Sequence, residues 1–249
     1  MDNQLLIVSK KSIDQRPCNH GPASRSRDDS GTRGGMAETI QKHVWADIGN
    51  APEVSGVYAW YYSPEITDFD LDSTVNAVRS APERTEAERA VRSVLDSRLF
   101  HHFREEPYTA SISGPLKPAY TGALEQESAA SASLVSRLAS EPERLRTIRD
   151  VLAKSAPMFT SPLYIGMATV LRTRLTQHKR LIERFRTVAP RDKQTIQSSD
   201  AGFAWQVAKR KIPPERLIVY TYSILSDDGT AVDIENILNR ICYPILGRN

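Results

Sequence analysis

Residues 56–62 read Gly56-Val57-Tyr58-Ala59-Trp60-Tyr61-Tyr62, and residues 163–166 read Leu163-Tyr164-Ile165-Gly166. The first stretch is β-branched and aromatic, follows Pro52 and closes on Ser63-Pro64, so it reads as a strand. The second, shorter stretch reads as another. Residues 217–225 alternate apolar and polar and run into the turn Ser226-Asp227-Asp228-Gly229, which predicts a third. Helices are expected beside them. Leu171, Leu175, Ile182 and Phe185 form an apolar stripe over 170–186. A short helix is predicted over 203–211, and a last one over 232–242, stopped by Pro244.

The stretch between the first two strands, about 65–160, predicts a mostly helical insert. Ala87, Ala90, Val91, Val94, Leu95, Leu99 and Phe103 fall at helical spacing over 83–103, with Ser80 and Glu83 as a capping box and Pro107 as the stop. Two more helices are expected over 132–139 and 141–154. Residues 108–122 hold short β-like pieces broken by Gly114, Pro115 and Pro118. Residues 1–35 are rich in Ser, Asp, Arg and Gly without apolar periodicity, and read as a disordered tail ahead of a domain over 36–249. Met36 offers an alternative start of translation.

Composition excludes several classes. The 249 residues are 40% apolar and 25% charged, which is ordinary for a folded chain and unlike a disordered or collagen-like one. No apolar run approaches the roughly 18 residues of a membrane span, and Leu5-Leu6-Ile7-Val8 is too short for a signal-peptide core. The two cysteines, Cys18 and Cys242, lie far apart without metal-ligand spacing, which fits a reducing, cytoplasmic setting.

Chemistry-bearing residues gather on the segments after the second and third strands. Arg174 and His178 are four apart and share a helix face. A guanidinium beside a tyrosine hydroxyl suits a phosphodiester, because its fork of N–H groups matches two phosphate oxygens. Arg and His on a helix are also common as solvated surface. Glu235 sits next to an apolar stripe. It reads as a boundary residue or as a lone carboxylate for Mg²⁺ or Mn²⁺, which take oxygen ligands and keep several waters.

Taken together, these residues resemble the GIY-YIG nuclease family. Gly56-Val57-Tyr58 stands for the first motif and Tyr164-Ile165-Gly166 for the second, with Arg174 eight residues past Gly166 and His178 four beyond it. Glu235, Pro244 and Asn249 follow in the family's order, although Asn249 lies farther past the proline than in many members. Tyr58 and Tyr164 are 106 positions apart, where the family has a short connection. A decoy, Tyr120-Thr121-Gly122, has Ala130 rather than arginine eight residues on. The match covers less than half of the chain.

The resemblance implies an α+β fold, with a small three-stranded antiparallel sheet flanked by helices and the insert. It also implies metal-dependent endonucleolytic hydrolysis of DNA, or of RNA. Tyr58 would be the general base or would position water, and Tyr164 would hydrogen-bond the scissile phosphate. Arg174 would stabilise transition-state charge, His178 would orient phosphate or move a proton, and Glu235 would hold Mg²⁺ or Mn²⁺. Gly56, Gly166 and Asn249 would support the site. The alternative is a module of the same fold that binds nucleic acid or protein without cutting it.

Net charge is +3, which by itself argues against a nucleic-acid partner. It is unevenly spread. Residues 167–216 carry twelve Lys and Arg against four Asp and Glu, a local +8 that leaves −5 elsewhere. Arg172, Lys179, Arg180, Lys209, Arg210 and Lys211 are therefore expected to track a nucleic-acid backbone. Phe203 and Trp205 read as core or as base-stacking residues. The insert is expected to serve in target recognition, as a scaffold or as a homodimer surface.

Overall fold

The computed structural model describes residues 40–104, 107–115, 117–124, 130–187, 202–225 and 229–247. The chain divides into two units, Met1–Ala37 and Glu38–Asn249, and every described residue belongs to the second. The tail expected over 1–35 and Asn249 lie outside the described residues, as do Arg191 and Lys193 of the basic stretch.

The fold is α+β. Strands β1 (Ile40–Val44), β2 (Gly56–Tyr62), β5 (Tyr164–Ala168) and β6 (Leu217–Ser223) form one antiparallel sheet in the order β1-β6-β2-β5. The three strands expected from sequence are therefore adjacent, with β2 in the centre. The sheet has four strands rather than three. β1 adds beyond β6, pairing Ile40 with Tyr222 and Val44 with Ile218. Its sequence, IQKHV, has few β-formers and mostly exposed side chains, as an edge strand can.

Period-two alternation sends Tyr58, Trp60 and Tyr62 of β2 to one buried face. That face is covered by α5 (Leu171–Thr187) and α6 (Phe203–Lys209). On α5 the buried stripe is Leu171, Leu175, His178, Ile182 and Phe185, at the spacing of a single helix face. The start of α5 is anchored to the loop before β2. Leu171 N–H donates to Val54 O at 3.0 Å and Arg172 N–H to Pro52 O at 3.0 Å, so two otherwise orphaned helix-end donors are satisfied. The opposite face of the sheet carries Val57 and packs against α7 (Thr230–Cys242) through Ala231, Ile234 and Leu238.

The insert has its own core. Helices α1 (Asp68–Ser80), α2 (Arg84–Val94), α3 (Ala132–Ser140) and α4 (Arg144–Phe159) bury Leu71, Val91, Leu95, Val135, Leu138 and Leu145 together. The long helix expected over 83–103 changes winding after Val94, with a π-helical turn at Leu95–Phe100 and a 3-10 turn at His101–Phe103. The capping box is also elsewhere. Thr67 and Asp70 form it at the start of α1, and Glu83 precedes α2 without a side-chain cap. The β-like pieces pair as a hairpin, β3 (Tyr108–Gly114) with β4 (Lys117–Leu124). Among the described residues, no helix is long and apolar enough to cross a membrane.

Gly56 supplies a test of the central pairing. A Cβ there would strike the Tyr222 carbonyl on β6 and come within 2.9 Å of Leu171 on α5. Gly56→Ala should destabilise the fold by about 1–3 kcal/mol, the usual range for overpacking. Gly122→Ala, where nothing lies within 4 Å, should stay within about 0.5 kcal/mol. Urea denaturation of the two variants measures the difference.

Candidate active site

The β2–β5 register places Tyr58 opposite Gly166 and Trp60 opposite Tyr164. The Tyr58 ring crosses over Gly166. A Cβ at 166 would lie 2.6 Å from Tyr58 Oη and 2.9 Å from Tyr164 Cε1, so only glycine leaves room for both rings. The two tyrosine centroids are 6.2 Å apart. The apolar stripe of α5 then brings His178 beneath them, with Nε2 2.9 Å from Tyr58 Oη.

Burial sets the protonation states. His178 is lowered to about 3 by desolvation, with the Arg174 charge adding to the effect, so it is neutral at pH 7. Tyr58 is pushed up by burial and by Tyr164, against the pull of Arg174, so it keeps its proton. A neutral imidazole can accept at only one nitrogen. Tyr58 Oη and His178 Nε2 thus share one hydrogen bond, in which the tautomer of the imidazole decides which of the two donates.

Arg174 stands one turn before His178. It interacts with both tyrosine hydroxyls, and its Nη1 donates to Gln177 Oε1 at 2.9 Å. Tyr164 is pushed up by burial and by Glu235, opposed by Arg174 and by a hydrogen bond to Tyr58. Glu235 comes from α7, and its charge reaches Tyr58, Tyr164 and Arg174. Desolvation raises it and Arg174 opposes the shift. Tyr58, Tyr164, Arg174, His178 and Glu235, separated in sequence, thus occupy one site.

The basic residues divide differently. Arg172 Nε donates to Ala51 O at 2.7 Å, and its Nη1 pairs with Glu53 at 2.5 Å. Lys179 donates to Trp45 O at 3.0 Å and lies over the Trp45 ring. Arg210 donates to Arg104 O at 2.5 Å. These three hold neighbouring segments of the fold together. Arg180, Lys209 and Lys211 are exposed. Phe203 is core, while Trp205 packs edge-on against Phe185. Sequence reading passed over Gln177, although its i+3 spacing from Arg174 on one helix could have marked it.

Among the described residues, no group of three or more His, Cys, Asp or Glu could hold a metal. A lone carboxylate still suits Mg²⁺, which commonly binds one or two carboxylates together with waters and substrate phosphate. Glu235 fits that use. It is partly buried, is raised by desolvation, and makes no hydrogen bond or ion pair with a described residue. Comparisons with protein-family models, curated proteins and solved structures give no match.

The buried histidine has a thermodynamic signature. An unfolded histidine titrates near 6.5, whereas folded His178 does so near 3. Between these values the unfolded chain binds the extra proton, so stability falls as pH drops through that window. His102, lowered to about 4 by burial, His101 and Arg210, contributes with the same sign. His178→Gln should flatten the loss of stability between pH 6.5 and 4, as read by chemical denaturation at stepped pH. An unchanged slope would mean that His178 titrates alike in the folded and unfolded chain, against its lowering by burial.

Proposed function

We propose that the chain is a metal-dependent endonuclease that hydrolyses phosphodiester bonds in DNA, with a site of the GIY-YIG kind. The observation that carries this reading is the convergence of Tyr58, Tyr164, Arg174 and Glu235, drawn from two strands and two helices across 177 positions. Such a set supplies the parts that phosphodiester hydrolysis requires. A packed core calls for none of them at this one place.

The Arg174 guanidinium can hold two phosphate oxygens and stabilise the charge that grows on them. Tyr164, protonated, donates to a phosphate oxygen. Tyr58 keeps its proton at rest, which suits positioning of the attacking water. Burial and Arg174 both oppose a charged His178, so Tyr58 serves to position the water rather than to relay its proton to the imidazole. Glu235 is the residue that would hold Mg²⁺ or Mn²⁺, and a bound ion there supplies Lewis acidity at the phosphate and the leaving oxygen. Of the six basic residues expected at a nucleic-acid backbone, Arg180, Lys209 and Lys211 are exposed and are the candidates for that contact. RNA as substrate, a homodimer through the insert and a cytoplasmic setting belong to the same proposal.

A cleavage assay on plasmid and branched DNA with Mg²⁺ or Mn²⁺ tests it. Wild type should cut, and Arg174→Ala and Glu235→Ala should each lose about 10²-fold or more in rate, as removal of one transition-state donor does elsewhere. Equal cutting by all three would misplace the site. Wild type that binds DNA with a steep salt dependence yet cuts no substrate would favour the non-cleaving module.

A further inference from the structure

Phe203 lies outside every motif position and is 2% exposed. It is the first residue of α6, and its ring meets three others at the site. It stacks on Tyr164, with centroids 5.1 Å apart and planes at 28°. It stacks on Trp60 at 5.3 Å and 29°. It meets His178 nearly edge-on, at 5.4 Å and 87°. Trp60 in turn stands edge-on to His178 at 6.4 Å and 85°. Phe203 is thus a plate wedged between two strand aromatics, with the imidazole standing upright against it.

We infer that Phe203 is a positioning residue that fixes the rings of Tyr164 and His178 in the orientations the site uses. This rests on the nuclease reading as far as catalysis is concerned. The physical case is independent of it. Offset-stacked and edge-on aromatic contacts carry orientation as well as attraction, each worth about 0.5–1.5 kcal/mol beyond area. An aliphatic side chain of similar volume would fill the space without defining the angle of a ring. Tyr164 is only partly buried, and the stacked Phe203 ring fixes the plane of a side chain whose hydroxyl is held by Tyr58 and Arg174. His178 makes its hydrogen bond to Tyr58 through Nε2, and a tilt of the imidazole would lengthen that bond. One ring therefore sets two of the site's side chains and, through His178, a third.

Phe203→Met and Phe203→Leu keep apolar volume and remove the plate, whereas Phe203→Tyr retains it. Trp205→Met is the control for loss of an aromatic from the same helix away from the site. Two readouts are needed. The first is the imidazole nitrogen spectrum of His178, which reports its tautomer without any reaction. Wild type should show a single neutral tautomer. Met and Leu should give averaged or multiple signals, and Tyr and the Trp205 control should resemble wild type. The second is steady-state DNA cleavage well below the melting temperature. Met and Leu should lower kcat about tenfold or more with KM within about twofold, and Tyr should restore most of it. If His178 is unchanged in whichever of the two aliphatic variants folds, the inference is overturned. If the His178 signals move as expected but wild type cuts no nucleic acid, the positioning role stands and the nuclease reading fails.

Discussion

The close crossing of Tyr58 over Gly166 is the constraint on which the rest of the site depends. Two adjacent antiparallel strands place these residues opposite one another. A strand residue with a Cβ at 166 would push the Tyr58 ring away and crowd Tyr164. With glycine there, both rings lie over the same stretch of β5, and the hydroxyl of Tyr58 is left facing α5. His178 and Arg174 follow from the helix period, one on the buried stripe and one at its margin. Glu235 arrives on α7. The helix that carries it is held to the sheet by Val57, the immediate neighbour of Tyr58.

Low solvent access gives this arrangement its electrical character. Tyr58 and Tyr164 are held as phenols, His178 is held neutral, and Glu235 is raised. Arg174 is the cation that every one of these groups feels. Burial works against its charge, and the interactions with Tyr58 and Tyr164 more than offset that, so the guanidinium stays charged. Under the nuclease proposal, Arg174 is the cation that would meet a phosphate diester. The same partial burial makes Glu235 an under-used acceptor, since a carboxylate away from water gains most from a cation. The two charged side chains come from opposite sides of the sheet, Arg174 from α5 over the Tyr58 face and Glu235 from α7 on the Val57 face.

Much of this was legible in the sequence, and the exceptions have physical reasons. β2 and β6 are dense in β-formers, and α5 keeps a strict apolar stripe, so their patterns survived tertiary context. Residues 40–44 form a strand because β6 offers a free edge, a fact about a partner more than 170 positions away. The long helix of the insert lost its regular winding at Leu95, where local periodicity continues unbroken and only packing reveals the change. His178 was legible as a site residue, but its neutrality was not. Burial on the stripe sets its charge, and histidine on such a stripe reads equally well as surface or core. The basic count overstated the exposed patch for a similar reason. Arg172 and Lys179 reach back to Ala51, Glu53 and Trp45, which lie far earlier in the chain.

The long insert leaves the strand pairing intact because it leaves and returns at the same point. Leu163 N–H donates to Trp60 O at 2.7 Å, and Ser63 N–H donates to Arg216 O at 2.9 Å, so the strands stay paired to within a few residues of where the insert begins and ends. In topology the insert is the loop of a β-hairpin. The entropy of closing a flexible loop grows only with the logarithm of its length, about 0.6 kcal/mol for each doubling. A connection of about 100 residues would therefore add only a few kcal/mol over a short one. The insert is not a flexible loop, because its helices bury a core of their own. Most of its ordering cost is offset within itself, and the site it interrupts needs only the two ends to meet. This is why a pattern spread over nearly the whole described chain can still close into one cluster of side chains.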